Sequence, residues 1–323
     1  MEFKITSEDT ITADGTAVNA KGGTEQMKER LMQELPDDFK EKFNIICSRV
    51  RDVSDTKQNI LWLHDTWNDP ESMHLKDPSS RERFSKLVFV SNYQWQTYHQ
   101  FHGIPYSESI VLRNAIDPIE KHKKPNDGQI RLIYHTTPHR GLEILVPVFE
   151  ALYEKHGDKI VLDVYSSFDI YGWPQRNQPY EGLFEKCKNH PGINYHGTVS
   201  NDEIREALKK AHIFAFPSIW LETSCIAAIE AMSAGCSIVC PNYGALPETT
   251  GNLVTMYPWN EDLNVHANYF AVVLNSVIEN YWHPIIQNKL MFTKSYTDNL
   301  YNWNTRKEEW MVLLQSLVDQ NVS

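Results

Sequence analysis

Short apolar runs rich in β-branched residues alternate along most of this chain with longer stretches of helical periodicity, and this alternation restricts the fold more than any other feature. The pattern is typical of α/β proteins, in which helices cover a parallel sheet. In the first third we predict helices at 25–34 and 93–101, and strands at 43–47, 60–63, 87–90 and 110–112.

A charged, turn-rich stretch at 122–128 has no apolar periodicity and is the best linker in the sequence. After it the alternation resumes, with predicted strands at 130–134, 160–165, 193–196, 213–216, 237–240 and 253–256, and a helical pattern from Glu261 onward. The pattern on both sides of the linker therefore predicts two doubly wound sheets. A ligand is expected where loops at the carboxyl ends of their strands face each other.

Size, charge and cysteine content exclude several classes of protein. The 323 residues suffice for about two domains. Lys and Arg number 31 against 42 Asp and Glu, so the net charge of −11 argues against a broad nucleic-acid surface or a polybasic membrane anchor. Five cysteines without a C-x-x-C pair favour reduced thiols over disulfides or a zinc site.

Targeting signals are the next consideration. The apolar runs fall far short of the ~20 residues that span a bilayer. Residues 1–5 lack the start of a secretory signal. The expectation is a cytoplasmic protein without a transmembrane segment, and peripheral membrane contact stays open.

The most informative stretch is 216–235, where an apolar strand leads into a loop and then a helix that ends at Gly235. Thr223 or Ser224 can cap this helix. The backbone N–H groups near Ser224, Cys225 and Ile226 then lack internal partners, and the helix dipole adds partial positive charge. Such a helix start suits a diphosphate.

Two carboxylates flank that helix start. Glu222 precedes the helix, whereas Glu230 lies about two turns inside it, roughly 10 Å further along at ~1.5 Å per residue. One carboxylate can bind sugar hydroxyls and the other the ribose of a nucleotide-sugar. The alternative is a pair of solvated carboxylates near a helix start, where the dipole favours acids anyway.

This spacing resembles a known family. Seven residues separate Glu222 from Glu230, Ala-Met-Ser-Ala-Gly follows, and then Pro-Asn-Tyr-Gly-Ala-Leu-Pro-Glu-Thr at 241–249. The arrangement is similar to the E-x7-E donor motif of the retaining glycosyltransferases of family 4, which have the GT-B fold.

The resemblance implies transfer from a nucleotide-sugar, such as a UDP- or GDP-sugar, with retention of configuration and without an obligatory metal or other cofactor. It assigns the transferred sugar to Glu222 and the ribose to Glu230. Cys225 departs from the family, which often has glycine there.

A second segment, 133–143, reads as a strand, a polar turn and a helix. A leaving diphosphate needs a fixed cation, which the forked guanidinium of Arg140 can supply. The segment is similar to the family's strand-loop-helix, which usually presents an arginine and then a lysine-glycine pair. Arg140 matches the second position, while Thr136 and Thr137 replace the first, so Arg140 acts alone or with His139. We take Thr137 as a donor-binding residue. The alternative is a surface arginine at a helix start.

Gly22 and Gly23, within Lys21-Gly22-Gly23-Thr24, precede an amphipathic helix and let backbone pass close to a ligand. They match the family's N-terminal glycine loop, although Gly-Gly is also a common turn. No G-x-G-x-x-G occurs at a strand-helix junction, which removes the main support for a nicotinamide dehydrogenase.

His64, after the strand at 60–63, resembles the family's acceptor-side histidine, and its alternative is a structural histidine. Val199, in a turn that relatives use to contact the base, is the predicted base neighbour. Tyr171, Trp173 and Tyr180 either stack on a ligand or pack a loop.

The resemblance therefore predicts a GT-B protein with two Rossmann-like doubly wound domains facing a central cleft. Residues 1–122 form the acceptor side, 123–284 bind the nucleotide-sugar, and the helices of 285–323 return to the first domain. The acceptor is a glycan, a lipid-linked molecule or a small molecule, and no nucleic acid takes part. A GT-B sugar-nucleotide epimerase and a non-catalytic sugar-nucleotide-binding module are the alternatives. We see no H-E-x-x-H or D-x-D motif and predict no metal.

Overall fold

The computed structural model describes residues 22–320. Predictions about residues 1–5 and Lys21 lie outside this range. The described residues form two compact units. The first unit contains 22–113, 169–175 and 306–320, and the second contains 114–168 and 176–305.

The first unit is built on a parallel sheet of four strands, whose order in the sheet follows the chain. The strands are β1 (Phe43–Cys47), β2 (Gln58–Leu63), β3 (Lys86–Phe89) and β4 (Ser109–Val111). Parallel neighbours need crossover connections, and most of these contain helices. The helices of this part of the chain are α1 (Gly23–Glu34), α2 (Asp37–Lys42), α3 (Pro78–Arg81) and α4 (Asn92–His102).

The second unit is built on a parallel sheet of six strands. They are β5 (Ile130–Tyr134), β6 (Ile160–Val164), β7 (Ile193–Tyr195), β8 (Ile213–Ala215), β9 (Ser237–Pro241) and β10 (Thr255–Tyr257). Their order across the sheet is β10-β9-β8-β5-β6-β7. The chain thus starts in the middle, builds one half of the sheet outward and then returns to build the other. This is the Rossmann order, with its reversal between β5 and β8.

Helices cover this second sheet. They are α5 (Leu142–His156), α6 (Glu181–Asn189), α7 (Asn201–Lys210), α8 (Ile226–Ser233), α9 (Leu246–Thr249), α10 (Leu263–Asn280) and α11 (Pro284–Leu300). Strands β8 and β9 are buried along their whole length, as expected for strands covered on both faces. Helix α5 presents apolar residues to the core on almost every turn.

The last helix, α12 (Trp303–Gln320), continues from the second unit into the first. Within the first unit the ring of Trp310 meets the ring of Trp62 edge-on, with centroids 5.0 Å apart. Trp310 and Leu314 are fully buried. These residues of α12 therefore pack in the interior of the first unit.

All ten predicted strands are present close to their predicted positions. The compact division falls at residue 113, ahead of the proposed linker, and α11 belongs to the second unit. Two contacts explain where the linker lies. Ile119 is buried in the core of the second unit, and Lys124 Nζ donates to the backbone oxygen of Leu208 at 2.6 Å.

Candidate functional site

The strand order of the second unit reverses between β5 and β8. In sheets of this kind ligands bind in the crevice at the reversal, because the loops leaving the two central strands diverge there. The loop after β5 carries Arg140, and the loop after β8 carries Glu222. Two residues that the sequence singles out separately therefore meet at one place.

Arg140 and Glu222 form an ion pair, in which Arg140 Nη1 donates to Glu222 Oε1. The Glu222 side chain is 5% exposed and that of Arg140 is 20% exposed. A buried carboxylate needs a cation or hydrogen-bond donors, so each partner depends on the other. The guanidinium carbon of Arg140 also lies 5.8 Å from the ring centre of Trp220, close enough for a cation–π contact.

Two glycines bring these loops together. Gly141 has φ +119°, and a Cβ there would lie 2.2 Å from the backbone oxygen of Pro217. Gly244 has φ +58°, and a Cβ there would lie 2.8 Å from the backbone oxygen of Glu222. That same oxygen accepts the N–H of Ala245 at 2.9 Å. The site thus depends on backbone approaches that exclude a side chain.

We expect Gly244→Ala to lower the free energy of unfolding by about 2 kcal/mol more than Gly235→Ala, because overpacking against fixed backbone adds to the strain. Gly235 is the matched control, since its φ is +68° and a Cβ there would have nothing within 4 Å. Denaturant unfolding of both variants measures the difference. Equal losses would contradict the steric role of Gly244.

His139 lies beside this pair but carries no charge. Its ring stacks on Phe168 with centroids 5.2 Å apart and meets Trp220 edge-on at 4.7 Å. Burial, reinforced by the nearby Arg140 and Arg176, lowers the pKa of His139 to about 3. His139 is therefore uncharged at neutral pH and adds no positive charge beside Arg140, because an apolar aromatic surround disfavours the protonated ring.

Helix α8 begins later than predicted. Cys225 is its N-cap residue, with extended backbone (φ −95°, ψ 96°) and no side-chain cap, so the predicted caps Thr223 and Ser224 are wrong. The carbonyl of Cys225 accepts the N–H of Ile229 at 3.1 Å. Because Cys225 already fills the cap position, the first-turn amides begin at Ile226. Burial raises the pKa of the Cys225 thiol, which keeps it protonated.

Glu230 lies inside α8, 4% exposed, where burial raises the pKa of its carboxyl. Asn201 Nδ2 and Arg205 Nη1 both donate to Glu230 Oε1 at 3.1 Å. Both donors belong to α7, which starts at the predicted cap Ser200. Val199 immediately precedes that cap. The predicted base-contacting turn therefore leads into α7, the helix whose side chains donate hydrogen bonds to Glu230.

Asn201 and Arg205 had no signal in the sequence. They sit on the polar face of a short amphipathic helix, where solvated side chains are the ordinary expectation. Only the packing of α7 beside α8 brings them to a buried carboxylate. The sequence predicted the cap of α7 but did not predict that residues in its first turns donate hydrogen bonds to Glu230.

Buried polar atoms at the carboxyl end of β5 lack partners among the described residues. They are His135 Nε2, Thr136 Oγ1, Thr137 Oγ1 and His139 Nδ1. Buried polar groups in folded proteins almost always have a hydrogen-bond partner, and exceptions call for a bound molecule or a functional reason. The predicted donor residue Thr137 belongs to this set, and a polar ligand in the reversal crevice fits it.

Acid is expected to weaken the fold through His135. Its ring lies 4.5 Å from that of Phe214, and burial lowers its pKa from the ordinary 6.5 to about 3. Between those values the unfolded chain binds the extra proton, so stability falls as pH falls. We expect His135→Phe to flatten the fall in unfolding free energy by about 1.4 kcal/mol per pH unit. Equal slopes in urea titrations between pH 6 and 4 would contradict this.

Three predicted site residues lie in the first unit. Gly22 is the N-cap residue of α1 and Gly23 its first residue, as the glycine loop predicts. A Cβ on Gly22 would lie 2.3 Å from the Tyr171 ring, so this glycine accommodates an aromatic side chain of the same unit. His64 lies with its ring 4.7 Å from that of Trp62, and burial lowers its pKa to about 4. His64 is therefore neutral near pH 7.

The chain, with its two parallel-sheet units, is similar to solved glycosyltransferases of the GT-B fold. A glycosyltransferase from Rickettsia africae has a similar structure, with a TM-score of 0.67 and 16% identity over 98% of this chain and 84% of that chain. HepE of Anabaena, solved in complex with UDP and glucose, gives a TM-score of 0.63 and 13% identity over 80% of this chain and 72% of that chain. These likenesses establish the fold.

Residues 116–267 match the family model described as Glycosyl transferases group 1. The gpi3 subunit of phosphatidylinositol N-acetylglucosaminyltransferase from Schizosaccharomyces pombe is 24% identical over 193 residues, which cover 59% of this chain and 38% of that protein. The chain spans less than two thirds of the length of the first curated relatives it matches.

Between residues 22 and 320, no three or more His, Cys, Asp or Glu side chains gather as metal ligands. Over the same range no helix combines the length and apolar character needed to span a membrane.

Proposed function

We propose that this chain is a retaining glycosyltransferase that takes its sugar from a nucleoside-diphosphate sugar without a metal ion. The observation that carries the proposal is the meeting of Arg140 and Glu222 at the strand-order reversal, just ahead of the first turn of α8. A cation, an acid and the amino-terminal end of a helix at one site suit a sugar attached to a diphosphate.

The predicted site residues of the second unit then have separate roles in the reaction. Arg140 and the first-turn amides of α8 stabilise the charge that develops on the departing diphosphate. Glu222 orients the hydroxyls of the transferred sugar. Glu230 accepts hydrogen bonds from the ribose, and Thr137 and Val199 line the donor. Gly22, Gly23 and His64 of the first unit are proposed to serve the glycine loop and the acceptor side.

Retention follows from departure and attack on the same face of the sugar. The bond from the anomeric carbon to the phosphate oxygen breaks as the bond to the acceptor oxygen forms. The acceptor proton passes to the leaving phosphate oxygen, so no side chain has to act as the base. This route is consistent with the neutral, buried state of His64.

The ion pair does not prevent donor binding. A guanidinium has five N–H donors, and Arg140 Nη1 is the one that contacts Glu222. Because a guanidinium can bind more than one acceptor at once, the carboxylate of Glu222 and a diphosphate can share it. We therefore expect the pair to persist in the donor complex.

A panel of nucleoside diphosphates and nucleotide-sugars, beginning with UDP- and GDP-sugars, tests the proposal. A ligand that binds only the folded state raises its apparent melting temperature. Turnover of the stabilising donor is then followed by product analysis, with acceptors from the glycan, lipid-linked and small-molecule classes. Consumption of the donor to an epimer without acceptor would favour the epimerase instead, and binding without any turnover would favour a non-catalytic module.

A further inference from the structure

The carboxylate of Glu230 is held from one side only. Both of its protein donors, Asn201 Nδ2 and Arg205 Nη1, contact Oε1. Among residues 22–320, Oε2 has no protein hydrogen-bond partner. A carboxylate oxygen has about two lone pairs available as acceptors. The arrangement fixes the plane of the carboxylate and leaves one oxygen to accept further hydrogen bonds.

The donors are themselves fixed. Arg205 is 19% exposed, and its second nitrogen, Nη2, donates to the backbone oxygen of Asp117 at 2.7 Å. The planar guanidinium therefore spans two acceptors and cannot rotate without losing one of them. Asn201 is the first residue of α7, whose start is set by a capping box between Ser200 and Glu203.

We propose that Arg205 and Asn201 are positioning residues for ribose recognition, which hold Glu230 so that Oε2 accepts hydrogen bonds from the ribose hydroxyls of the nucleoside diphosphate. The inference rests on the proposed function, in which Glu230 is the ribose ligand. It adds the residues that make this carboxylate selective for ribose over deoxyribose. Binding energy from hydroxyls depends on acceptors that are already in place.

A purely structural role makes a different prediction. If Arg205 only neutralised a buried charge, its loss would lower the stability of the fold and weaken ribose and deoxyribose nucleotides equally. A positioning role alters their ratio. The ratio of dissociation constants is therefore the informative measurement, because changes common to both ligands cancel.

The experiment is calorimetric titration of the whole chain with UDP and GDP, each beside its 2′-deoxy and 3′-deoxy forms. The variants are Arg205→Met, Asn201→Ala and the conservative Arg205→Lys. Lys209→Met is the matched control, because Lys209 lies on the same helix and pairs with the exposed Glu206. Asn201→Ala tests the same oxygen if Arg205→Met does not fold.

We expect the unaltered chain and the control to prefer the ribonucleotide by about tenfold or more, the worth of a hydrogen bond to a charged group. In Arg205→Met and Asn201→Ala the preference should fall toward unity while affinity for the deoxy forms changes little. Arg205→Lys should restore part of the preference.

Full preference for the ribonucleotide in the variants, or an equal loss of affinity for both sugars, would overturn the inference alone. Failure of the unaltered chain to bind any nucleoside diphosphate would instead overturn the proposed function, and the inference with it.

Discussion

Arg140→Ala is expected to lower kcat/KM for sugar transfer by about a thousandfold, the upper range for removal of one fixed group that stabilises developing charge. Arg140 is the cation that the structure places beside Glu222 and ahead of α8. Without it the departing diphosphate keeps only the helix amides. Initial rates at several concentrations of the donor identified by the panel measure the loss, which should fall mainly on kcat.

Arg131→Ala is the matched control for this change. Arg131 lies on β5 of the same unit, pairs with Asp127, and its side chain is 21% exposed against 20% for Arg140. It is outside the reversal crevice, so its loss should leave transfer nearly unchanged. Comparable rates for Arg140→Ala and the unaltered chain would remove Arg140 from the mechanism.

Glu222→Gln is expected to lower transfer by about a hundredfold or more while preserving the shape of the side chain. The amide keeps one acceptor for Arg140 but loses the negative charge that orients both the guanidinium and the sugar hydroxyls. Because the proposed function assigns the donor's nucleotide portion to α8 and Glu230, affinity for the nucleoside diphosphate should change much less than kcat. Titration and initial rates separate the two effects.

Glu279→Gln serves as the control for Glu222→Gln. Glu279 forms an exposed ion pair with Lys155 on the surface of the same unit. Exposed pairs contribute little, so neither stability nor rate should shift appreciably. A variant at Glu222 that transferred sugar as well as this control would show that the carboxylate has no part in the reaction.

The sheets were predictable because their signal is local. A strand covered on both faces must be largely apolar, and β8 and most of β9 consist of apolar residues in the sequence. Helix ends were less predictable. Thr223 and Ser224 are good cap residues in isolation, yet the chain stays extended through Cys225, where tertiary packing of the loop overrides local preference.

The candidate site likewise contains residues that the sequence predicted and partners that it did not. Arg140, Glu222 and Glu230 were found from residue types, spacing and resemblance. Their partners were not, because Asn201 and Arg205 reach Glu230 only through the packing of α7 beside α8. The sequence likewise does not indicate that His139 is neutral, since a pKa depends on the burial that the folded environment creates.

The sequence marks the positions of two glycines but does not show their steric role. Gly141 and Gly244 stand in segments that the resemblance had already marked. Their steric function follows only from the approach of Pro217 and Glu222 backbone. A residue defined by the absence of a side chain gives no hint of what approaches it.

The charged residues of the candidate site, Arg140, Glu222, Glu230 and Arg205, all belong to one compact unit. Evolution can therefore alter the sequence elsewhere, in the part that contains His64, without disturbing the geometry that these four share. Chimeras that join this unit to a foreign N-terminal half are expected to inherit their choice of nucleotide from it.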